Sequence, residues 1–591
     1  MDFQRLFDIF PYQQAKYPNK IALATKKGLQ WETYSTEACV EQINCISAGF
    51  LQLGLLRGDK VVIISYQGSP VWNFLDMGMQ QIGVILVPIH ANVTERELIY
   101  ILSEVAAKYC IVQNRELLQK IYRIKSNVLP LKKVFTLERL PDEAHWSELS
   151  VTPNARHLEE IQTIKAAIHE DDLATIIYTS GTTGKLKGVM LSHKNIVSNI
   201  KSVLTILPIN CDKVTVSFLP LSHIFERMVT YTYMAAGSSL YYIPRVDNIL
   251  DDLQDIRPHY FTVVPRLLEK AYHALVHRVE HTEGWKRSLS RWAIRAAERY
   301  SENKLSIWNW WQVQICDLLV YRRWRRMTGN RIEGIIVGAA ALQPRLSKLF
   351  NAAGFNVREG YGLTETAPVV TLNRFEPNGW RSGTVGMVLP SVQIAIHQPN
   401  ETGEGEILVK GENVMLGYYQ QSEATLEAFT SDGWFKTGDV GKIVYQRFLQ
   451  ITDRKKAIFS TPSGKSIAPQ PIEQLLTTSP FIQQCMVVGF NRPYTAVLIV
   501  PNFQHLQRWC ASQAIQWSSP AFMVIHPKVE AHYQQLLNHF NTTLQSHEVL
   551  QAFHLLHEEW SAENGTANSI LKPKREVIEA RWAKEIEEMY A

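Results

Sequence analysis

The 591-residue sequence predicts an α/β protein in which a large N-terminal domain of layered α/β subdomains, with a small β subdomain, precedes a smaller α+β C-terminal domain. Three observations carry this prediction. Apolar strand-like runs alternate with helical patterns through about residue 370, short β-branched runs follow between 380 and 450, and the charged patch Arg454-Lys-Lys456 then precedes about 135 residues of mixed character. We therefore predict domains at 1–453 and 454–591.

The alternation in the first 370 residues is the strongest of the three signals. Buried strands are predicted by short runs rich in Val and Ile, and helices by apolar residues at helical spacing between them. Such alternation is typical of layered α/β structure with largely parallel sheets. The predicted strands are Val61–Ser65, Gly83–Val87, Ala174–Tyr178, Phe261–Val264 and Gly334–Val337, and the clearest helices are Thr94–Val105 and Gln343–Ala353.

The β subdomain is predicted from a change of texture over residues 380–450. Val392–Ile396, Glu406–Val409 and Lys442–Val444 are short β-branched runs, and Gly-, Asn- and Pro-rich turns separate them. Short runs of this kind between turn residues indicate a small β subdomain.

Composition excludes several functional classes. The chain has 46% hydrophobic and 20% charged residues, which is ordinary for a globular protein, and its net charge of +5 gives no reason to expect nucleic acid as a partner. Seven scattered cysteines without a C-x-x-C pair argue against disulfides and zinc, and no apolar run reaches the length of a membrane span. We expect a cytoplasmic protein; nothing in the sequence indicates an oligomeric state.

The most informative segment is Tyr178-Thr-Ser-Gly-Thr-Thr-Gly-Lys-Leu-Lys-Gly188, directly after a predicted strand. Glycines let the backbone approach an anion, hydroxyls donate hydrogen bonds, and lysines neutralise charge, so the segment predicts a polyphosphate-binding loop. It is not the usual P-loop, because no G-x-x-x-x-G-K-[ST] is present. The predicted phosphate contacts are Thr179, Ser180, Gly181, Thr182, Thr183, Gly184, Lys185 and Lys187.

This loop resembles the signature of the adenylate-forming superfamily, which includes acyl-CoA synthetases, beetle luciferases and the adenylation domains of peptide synthetases. Three further segments are similar to superfamily motifs in the expected order: Gly360-Tyr-Gly-Leu-Thr-Glu-Thr366, Thr437-Gly-Asp439 and Asp453-Arg-Lys-Lys456. The resemblance implies an adenylating enzyme that uses ATP and Mg²⁺. It also implies that residues 454–591 form a mobile lid.

The resemblance assigns roles that physical chemistry makes intelligible. Tyr361 is expected to lie against the adenine, as aromatic rings do with nucleobases. Glu365 is a hard oxygen ligand suited to Mg²⁺ held with phosphate, and Thr179 is expected to assist it. Thr364 is expected to contact the α-phosphate, and Asp439 with Arg454 the ribose. Gly338, Ala339, Gly360 and Gly362 complete the expected nucleotide site; Ala339 stands where a second glycine is common, which implies a tighter adenine pocket.

Two lysines are expected to act from the C-terminal domain. Lys456 matches the family's hinge. In long-chain acyl-CoA synthetases a catalytic lysine lies near the end of the chain, and Asn568-Ser-Ile-Leu-Lys-Pro-Lys-Arg575 matches that segment with Lys572, although Lys574 is a competitor.

The long-chain group is also the source of the expected substrate. Leu219-Pro-Leu-Ser-His-Ile-Phe-Glu-Arg227 is similar to the segment that borders its acyl site and places His223 near the reacting carboxylate. The resemblance therefore implies a fatty acid as substrate and coenzyme A as co-substrate. Gly464 and Lys465 lie in the loop expected near the thiol entrance, but Thr461-Pro-Ser-Gly-Lys-Ser466 departs from the common G-G-K-N pattern. Transfer to a carrier protein, or a non-catalytic lipid-binding role, are the alternatives.

A helical insertion rich in Arg and Trp is predicted over residues 284–328. Arg287, Arg291, Arg295 and Arg299 recur every four residues and share one helix face. One interpretation is a helix pair that contacts the inner face of a membrane as a peripheral element. The other is a solvated arginine face whose tryptophans pack on the body of the protein.

Overall fold

The computed structural model describes residues 1–180, 186–245, 249–300, 307–455, 459–460, 466–490, 492–561, 563–567 and 573–590. The chain divides into two compact units. Unit 1 comprises residues 1–395, 408–436 and 443–449, and unit 2 comprises residues 396–407, 437–442 and 450–591. The large N-terminal and smaller C-terminal parts of the predicted mixed α/β fold are therefore present.

The described strands fall into five sheets. In chain order they are β1 Leu23–Lys27, β2 Gln30–Tyr34, β3 Lys60–Ser65, β4 Ile85–His90, β5 Tyr109–Val112, β6 Lys133–Thr136, β7 Leu173–Ser180, β8 Leu186–Ser192, β9 Val214–Ser217, β10 Ser239–Tyr242, β11 Tyr260–Val263, β12 Gly334–Val337, β13 Val357–Gly362, β14 Val369–Leu372, β15 Met387–Val388, β16 Val392–His397, β17 Gly405–Gly411, β18 Gly417–Tyr418, β19 Phe435–Val444, β20 Phe448–Arg454, β21 Phe459–Ser460, β22 Ser466–Ile467, β23 Ile482–Val488, β24 Thr495–Pro501 and β25 Leu550–Leu555.

Several α-helices begin after a side chain that caps their first turn, as at Ser35, Thr94, Asn114 and Ser192. They are α1 Ile9–Lys16, α2 Thr36–Gln52, α3 Pro70–Gln80, α4 Glu95–Glu104, α5 Arg115–Ile124, α6 Ala155–Ala167, α7 His193–Leu204, α8 Ile224–Ala235, α9 Ile249–Ile256, α10 Pro265–Glu280, α11 Trp285–Glu298, α12 Ile307–Cys316, α13 Arg322–Arg326, α14 Pro344–Ala352, α15 Ser422–Ala428, α16 Pro469–Leu476, α17 Phe503–Ser512, α18 Pro520–Met523, α19 Pro527–Asn541, α20 Arg575–Arg581 and α21 Ala583–Glu588.

Two large sheets, both mainly parallel as predicted, form the framework of unit 1. The seven-stranded sheet has the order β18-β8-β7-β4-β3-β5-β6, in which the strands from β7 to β6 are parallel and β8 and β18 are antiparallel. The nine-stranded sheet has the order β15-β14-β13-β12-β11-β9-β10-β1-β2, with parallel pairing from β13 to β1. Carboxyl ends of parallel strands share one edge, which is where α/β proteins place ligand sites.

The predicted elements are present, with one clear shift. The strand predicted at Gly83–Val87 is β4, Ile85–His90, because Gly83 has a left-handed φ of 72° and ends the preceding turn. The predicted β runs between 380 and 450 correspond to β16, β17 and β19, which form a four-stranded sheet together with β20 in the order β16-β17-β19-β20. That sheet contributes segments of chain to both units.

The predicted insertion is helical. α11 is followed by α12, and α12 continues through a π-helical turn at Asp317–Tyr321 into α13. All four arginines of the predicted face, Arg287, Arg291, Arg295 and Arg299, are exposed. Among the described residues, no helix is both long and apolar enough to cross a membrane.

Unit 2 contains the three-stranded sheet β23-β24-β25, in which β23 and β24 are antiparallel and β24 and β25 are parallel. One face of the sheet packs against α16, α17 and α19 through a buried apolar cluster that includes Val487, Ile499 and Tyr533. The other packs against α20 and α21 through Ile578, Trp582 and Ile586. Helices thus cover both faces of this sheet.

Candidate active site

The predicted phosphate loop joins the antiparallel strands β7 and β8. Tyr178 lies opposite Gly188 and Thr179 opposite Lys187. Of the predicted phosphate contacts, Gly181, Thr182, Thr183, Gly184 and Lys185 lie outside the described residues, as does the side chain of Ser180. The structure therefore brings half-buried Thr179 and Lys187 together at the base of the loop.

The carboxylate of Glu365 is held close to this hairpin by Tyr418. Gly417 and Tyr418 form the short strand β18, which pairs with β8. The Tyr418 hydroxyl donates to Oε1 of Glu365 over 3.1 Å, and the Lys187 ammonium lies 4.6 Å from the centre of the Tyr418 ring. Burial, with the nearby Glu365 carboxylate, raises the pKa of Tyr418, so this hydroxyl stays protonated and can donate.

Glu365 is also fixed through its backbone. It lies in the short 3-10 helix Thr364–Thr366, and its backbone carbonyl accepts a hydrogen bond from the backbone N–H of Met415 over 2.8 Å. Just before this turn, Gly362 is packed so closely that a Cβ there would be 1.8 Å from the carbonyl oxygen of Pro368. Only glycine fits here without displacing the backbone. Packing therefore requires Gly362, whatever its expected role in nucleotide binding.

Tyr361 is the penultimate residue of β13. It lies opposite Thr371 of β14, where the register of this antiparallel pair shifts between Tyr361 and Gly362. A Cβ at Gly360 would be 3.1 Å from Leu372, so that glycine is tight but less constrained than Gly362. The strand thus delivers Tyr361 and Glu365 to one end of the nine-stranded sheet.

Gly338 and Ala339 follow β12 at the carboxyl end of a parallel strand. A Cβ at Gly338 would be 2.8 Å from the ring of Phe225, so any larger residue would need that ring to shift. Ala339 has a φ of 69°, the left-handed region that glycine adopts most easily. The preference for a second glycine at this position therefore has a backbone explanation.

His223 precedes helix α8 and faces a second histidine. Its ring centre is 5.8 Å from that of His90, and the two planes are inclined by 27°. Burial lowers the pKa of His223 to about 4; burial and proximity to His223 lower that of His90 to about 3. Both rings are consequently neutral at pH 7.

Helix α8 is anchored by a buried ion pair one turn after His223. Arg227 donates to both carboxylate oxygens of Asp76, at 2.7 and 3.2 Å, and to the hydroxyls of Thr175 and Tyr231 at 2.8 and 2.9 Å. Neither Arg227 nor Asp76 is accessible to solvent. Because Thr175 belongs to β7, this pair ties the His223 segment to the strand that carries the phosphate loop.

In unit 2 the two predicted ribose contacts lie side by side. Nε of Arg454 is 3.2 Å from the carboxylate of Asp439, which is buried, whereas the arginine side chain is half exposed. The backbone N–H of Asp439 donates to the hydroxyl of Thr437, which in turn donates to the carbonyl of Ile407. The sheet therefore orients Asp439, and Arg454 neutralises it.

The C-terminal segment is held on both sides of its predicted lysine. Ala567 and Pro573 form a β-bridge, and the N–H of Lys574 donates to the carbonyl of Thr566. Arg575 donates to the carboxylate of Glu473 through both terminal nitrogens, at 2.6 and 2.8 Å. Lys572, the hinge candidate Lys456 and the loop residues Gly464 and Lys465 lie outside the described residues.

Comparison with known proteins decides the family. Residues 10–419 match the AMP-binding enzyme family, and residues 457–591 match the AMP-binding enzyme C-terminal domain. The chain belongs to the AMP-binding enzyme family. The resemblance to the adenylate-forming superfamily is thereby confirmed.

The similarity of this AMP-binding enzyme to its relatives extends over nearly the whole chain. It is 29% identical to the long-chain-fatty-acid–CoA ligase FadD15 of Mycobacterium bovis, covering 95% of this chain and 92% of the relative. It is 28% identical to human long-chain-fatty-acid–CoA ligase 1, covering 95% and 82%. The fold is similar to that of the adenylation domain of a carboxylate reductase from Mycobacterium chelonae, with a TM-score of 0.77 at 21% identity, covering 99% and 91%.

Two residues of the enzyme's candidate site were not predicted from the sequence. Tyr418 contacts Glu365 because β18 pairs with β8, and no motif around Tyr418 predicts that pairing. His90 could have been found, because it ends a parallel strand, and polar residues at such ends gather at one sheet edge. The prediction ended that strand at Val87 and so passed over it.

Proposed function

We propose that this enzyme couples a long-chain fatty acid to ATP, forming an acyl-adenylate and pyrophosphate, and then transfers the acyl group to coenzyme A with release of AMP. The near-full-length similarity to long-chain-fatty-acid–CoA ligases of a bacterium and of human carries this proposal. Carboxylates are poor electrophiles, and adenylation gives the acyl carbon a good leaving group. The free thiols of all seven cysteines support a cytoplasmic site of action.

In the first step the carboxylate attacks the α-phosphorus, so the protein must position two anions and neutralise charge. Lys187 at the base of the phosphate loop supplies a cation, and Thr179 and Thr364 supply hydroxyl donors. Neutral His223 donates a hydrogen bond to the fatty acid carboxylate without forming an ion pair that would weaken its nucleophilicity. Its low pKa supports this role.

Mg²⁺ fits the donor set only together with the nucleotide. Among the described residues there is no group of three or more His, Cys, Asp or Glu that could hold a metal. Mg²⁺ is commonly bound by one or two carboxylates plus substrate phosphates and waters, and Glu365 with Thr179 suits that pattern. Bound there, the ion would neutralise phosphate charge. Tyr418 would keep the Glu365 carboxylate oriented toward it.

The residues expected to contact the nucleoside have separate roles. Tyr361 stacks on the adenine, with the backbone at Gly338, Ala339, Gly360 and Gly362 forming the walls of the pocket. Asp439 accepts hydrogen bonds from the ribose hydroxyls, and the adjacent Arg454 is the second ribose contact. The 3.2 Å pairing of these two side chains supports a joint role.

Lys572 supplies the mobile cation for adenylation, and rotation about Lys456 then brings Gly464 and Lys465 toward the CoA thiol. A matched pair of variants tests the first assignment. Lys572→Ala should abolish acyl-AMP formation while the conversion of supplied acyl-AMP and CoA to thioester continues, and Lys574→Ala should impair neither. The reverse pattern would move the catalytic lysine to Lys574.

The substrate is tested by product analysis after incubation with ATP, Mg²⁺, CoA and acids from acetate to stearate. Each buried CH₂ contributes about 0.8 kcal/mol, so the six methylenes between decanoate and palmitate could favour palmitate by up to about 5 kcal/mol in kcat/KM. Acyl-AMP without acyl-CoA would instead indicate delivery to a carrier protein. No pyrophosphate–ATP exchange with any acid would indicate a non-catalytic lipid-binding protein.

A further inference from the structure

The helical insertion presents an apolar stripe to solvent, where a packed helix would bury one. Trp308 is 71% exposed and Trp311 is 55% exposed. Ile315, Leu318 and Leu319 continue at spacings of three or four residues and are also exposed. These five side chains therefore lie along one side of α12 and the following π-helical turn; we call them the apolar stripe.

The opposite side of the same helix is the one that packs on the protein. Val313, Cys316, Val320 and Trp324 are buried, and the Tyr321 hydroxyl donates to the carbonyl of Ala293 in α11 over 2.7 Å. The exposure of the apolar stripe is thus a property of a helix anchored by its other side. The alternative in which the tryptophans pack on the body is wrong for Trp308 and Trp311.

Basic residues extend the apolar stripe at its C-terminal end. Arg323 and Arg326 of α13 are exposed, eight residues beyond Ile315 and Leu318 respectively. The only acidic residue between 307 and 326 is Asp317, and it is paired with Arg322 at 3.3 Å and with Arg325 at 2.6 Å. The exposed surface of residues 308–326 therefore combines Trp, Ile and Leu with the positive charge of Arg323 and Arg326.

We propose that α12 and α13 dock this enzyme on the surface of an anionic lipid bilayer, with the apolar stripe inserted at the headgroup boundary and Arg323 and Arg326 among the lipid phosphates. Trp is enriched at that boundary, and arginines near an anionic leaflet gain electrostatic attraction. The helix would lie in the plane of the interface, as amphipathic interfacial helices do. The charge of the surface favours an anionic bilayer over a second copy of this basic face.

The benefit of docking rests on the proposed function, whereas docking itself does not. A long-chain fatty acid partitions into bilayers, so an enzyme held at that surface meets its substrate at high local concentration. Vesicle binding without ATP, CoA or fatty acid tests the surface alone. Its failure would leave the adenylation chemistry untouched, and loss of the chemistry would leave vesicle binding untouched.

The experiment measures flotation of the full-length enzyme with phosphatidylcholine vesicles, with or without 30 mol% phosphatidylglycerol. We expect binding to the anionic vesicles at low salt and weaker binding at 0.5 M NaCl, because salt screens the attraction. Trp308→Ser with Trp311→Ser should abolish binding at both salt concentrations. Arg323→Ser with Arg326→Ser should weaken it at least tenfold at low salt.

A matched control removes two exposed arginines on other helices, Arg96 in α4 and Arg156 in α6. Arg96→Ser with Arg156→Ser changes the net charge equally and should alter binding less than twofold. Arg325 is kept, because it also donates to the carbonyl of Ala353 and its loss would disturb the insertion. Thermal melts check that all variants fold.

Three results would overturn the proposal. The first is no binding of the wild-type enzyme to anionic vesicles at low salt. The second is an equal loss in the control variant, which would make the attraction a matter of net charge. The third is a concentration-dependent dimer that dissociates in the Trp308→Ser, Trp311→Ser variant while vesicle binding persists, since the apolar stripe would then be a contact between copies.

Discussion

Arginine and aromatic side chains meet in two regions of this enzyme, and the two arrangements are opposite. Beneath the candidate active site, Arg227 is fully buried, bonded to Asp76 and Tyr231, and its guanidinium carbon lies 5.4 Å from the centre of the Trp72 ring. In the insertion, Arg323 and Trp308 face solvent.

The difference shows what each combination can do. A buried charge survives only when its hydrogen bonds are satisfied, and once satisfied it fixes the elements it joins. An exposed charge beside exposed aromatic rings fixes nothing within the chain and is available to a partner. The interior set is therefore suited to positioning catalytic groups, and the exterior set to docking.

The largest effect on activity is expected at Glu365, the carboxylate proposed to bind Mg²⁺. Glu365→Gln keeps the shape of the side chain but removes the charge that suits Mg²⁺, so pyrophosphate–ATP exchange should fall by orders of magnitude with folding retained. Tyr418→Phe leaves that charge in place but removes its orienting donor, and should cost about tenfold, with a higher Mg²⁺ requirement.

The neighbouring Tyr419→Phe is the matched control for that hydroxyl and should change exchange little. Near wild-type exchange in folded Glu365→Gln would remove this carboxylate from the metal site. If Tyr418→Phe were equally silent, the contact with Glu365 would be structural only.

The second effect concerns stability and tests the comparison directly. Arg227→Met leaves the Asp76 carboxylate buried without its cation, which should lower the free energy of unfolding by about 3–5 kcal/mol. Arg323→Met, at an exposed position, should change it by less than about 0.5 kcal/mol. Urea denaturation measures both. Similar values for the two variants would erase the distinction between the regions.

The third effect is a dependence of stability on pH. Burial lowers the pKa of His193 to about 3, and this residue begins helix α7, where the helix dipole also disfavours a positive charge. The unfolded chain binds a proton near pH 6.5 and the folded chain does not, so stability is full above pH 6.5 and declines as pH falls toward 3.

Between pH 7 and pH 5 this histidine alone should cost about 2 kcal/mol. His193→Gln should remove that part of the pH dependence in urea denaturation, while His90 and His223 continue to contribute in the same direction. An unchanged pH profile in the variant would mean that His193 is protonated in the folded enzyme.

Sequence reasoning succeeded where a short segment carries its own signal. The strands predicted around Val61 and Gly334 and the helix predicted from Thr94 depend on local residues, and the structure confirms them. The hydrogen bond of Tyr418 to Glu365 joins residues that are 53 positions apart in the sequence, and the ion pair of Arg227 with Asp76 joins residues that are 151 positions apart. No local pattern encodes such contacts. The exposure of Trp308 was likewise undecidable from periodicity, because a helix pattern shows which residues share a side but not which side is covered.

The smallest effect tests how far the backbone around the proposed nucleotide pocket is itself strained. Ala339 has a φ of 69°, whereas Ala340 and Ala341, which are also exposed, are not among the residues with positive φ. In the left-handed region an alanine Cβ costs about 1–2 kcal/mol, while replacing alanine by glycine loses about 0.4–1 kcal/mol through the freer unfolded chain. Ala339→Gly should therefore stabilise the enzyme by up to about 1 kcal/mol, and Ala341→Gly should destabilise it by about 0.5–1 kcal/mol. Changes of opposite sign in the free energy of unfolding of the two variants, measured by urea titration, would confirm that the glycine common at this position relieves backbone strain. The same sign in both variants would show that the surrounding contacts, and not the left-handed backbone, determine the preference.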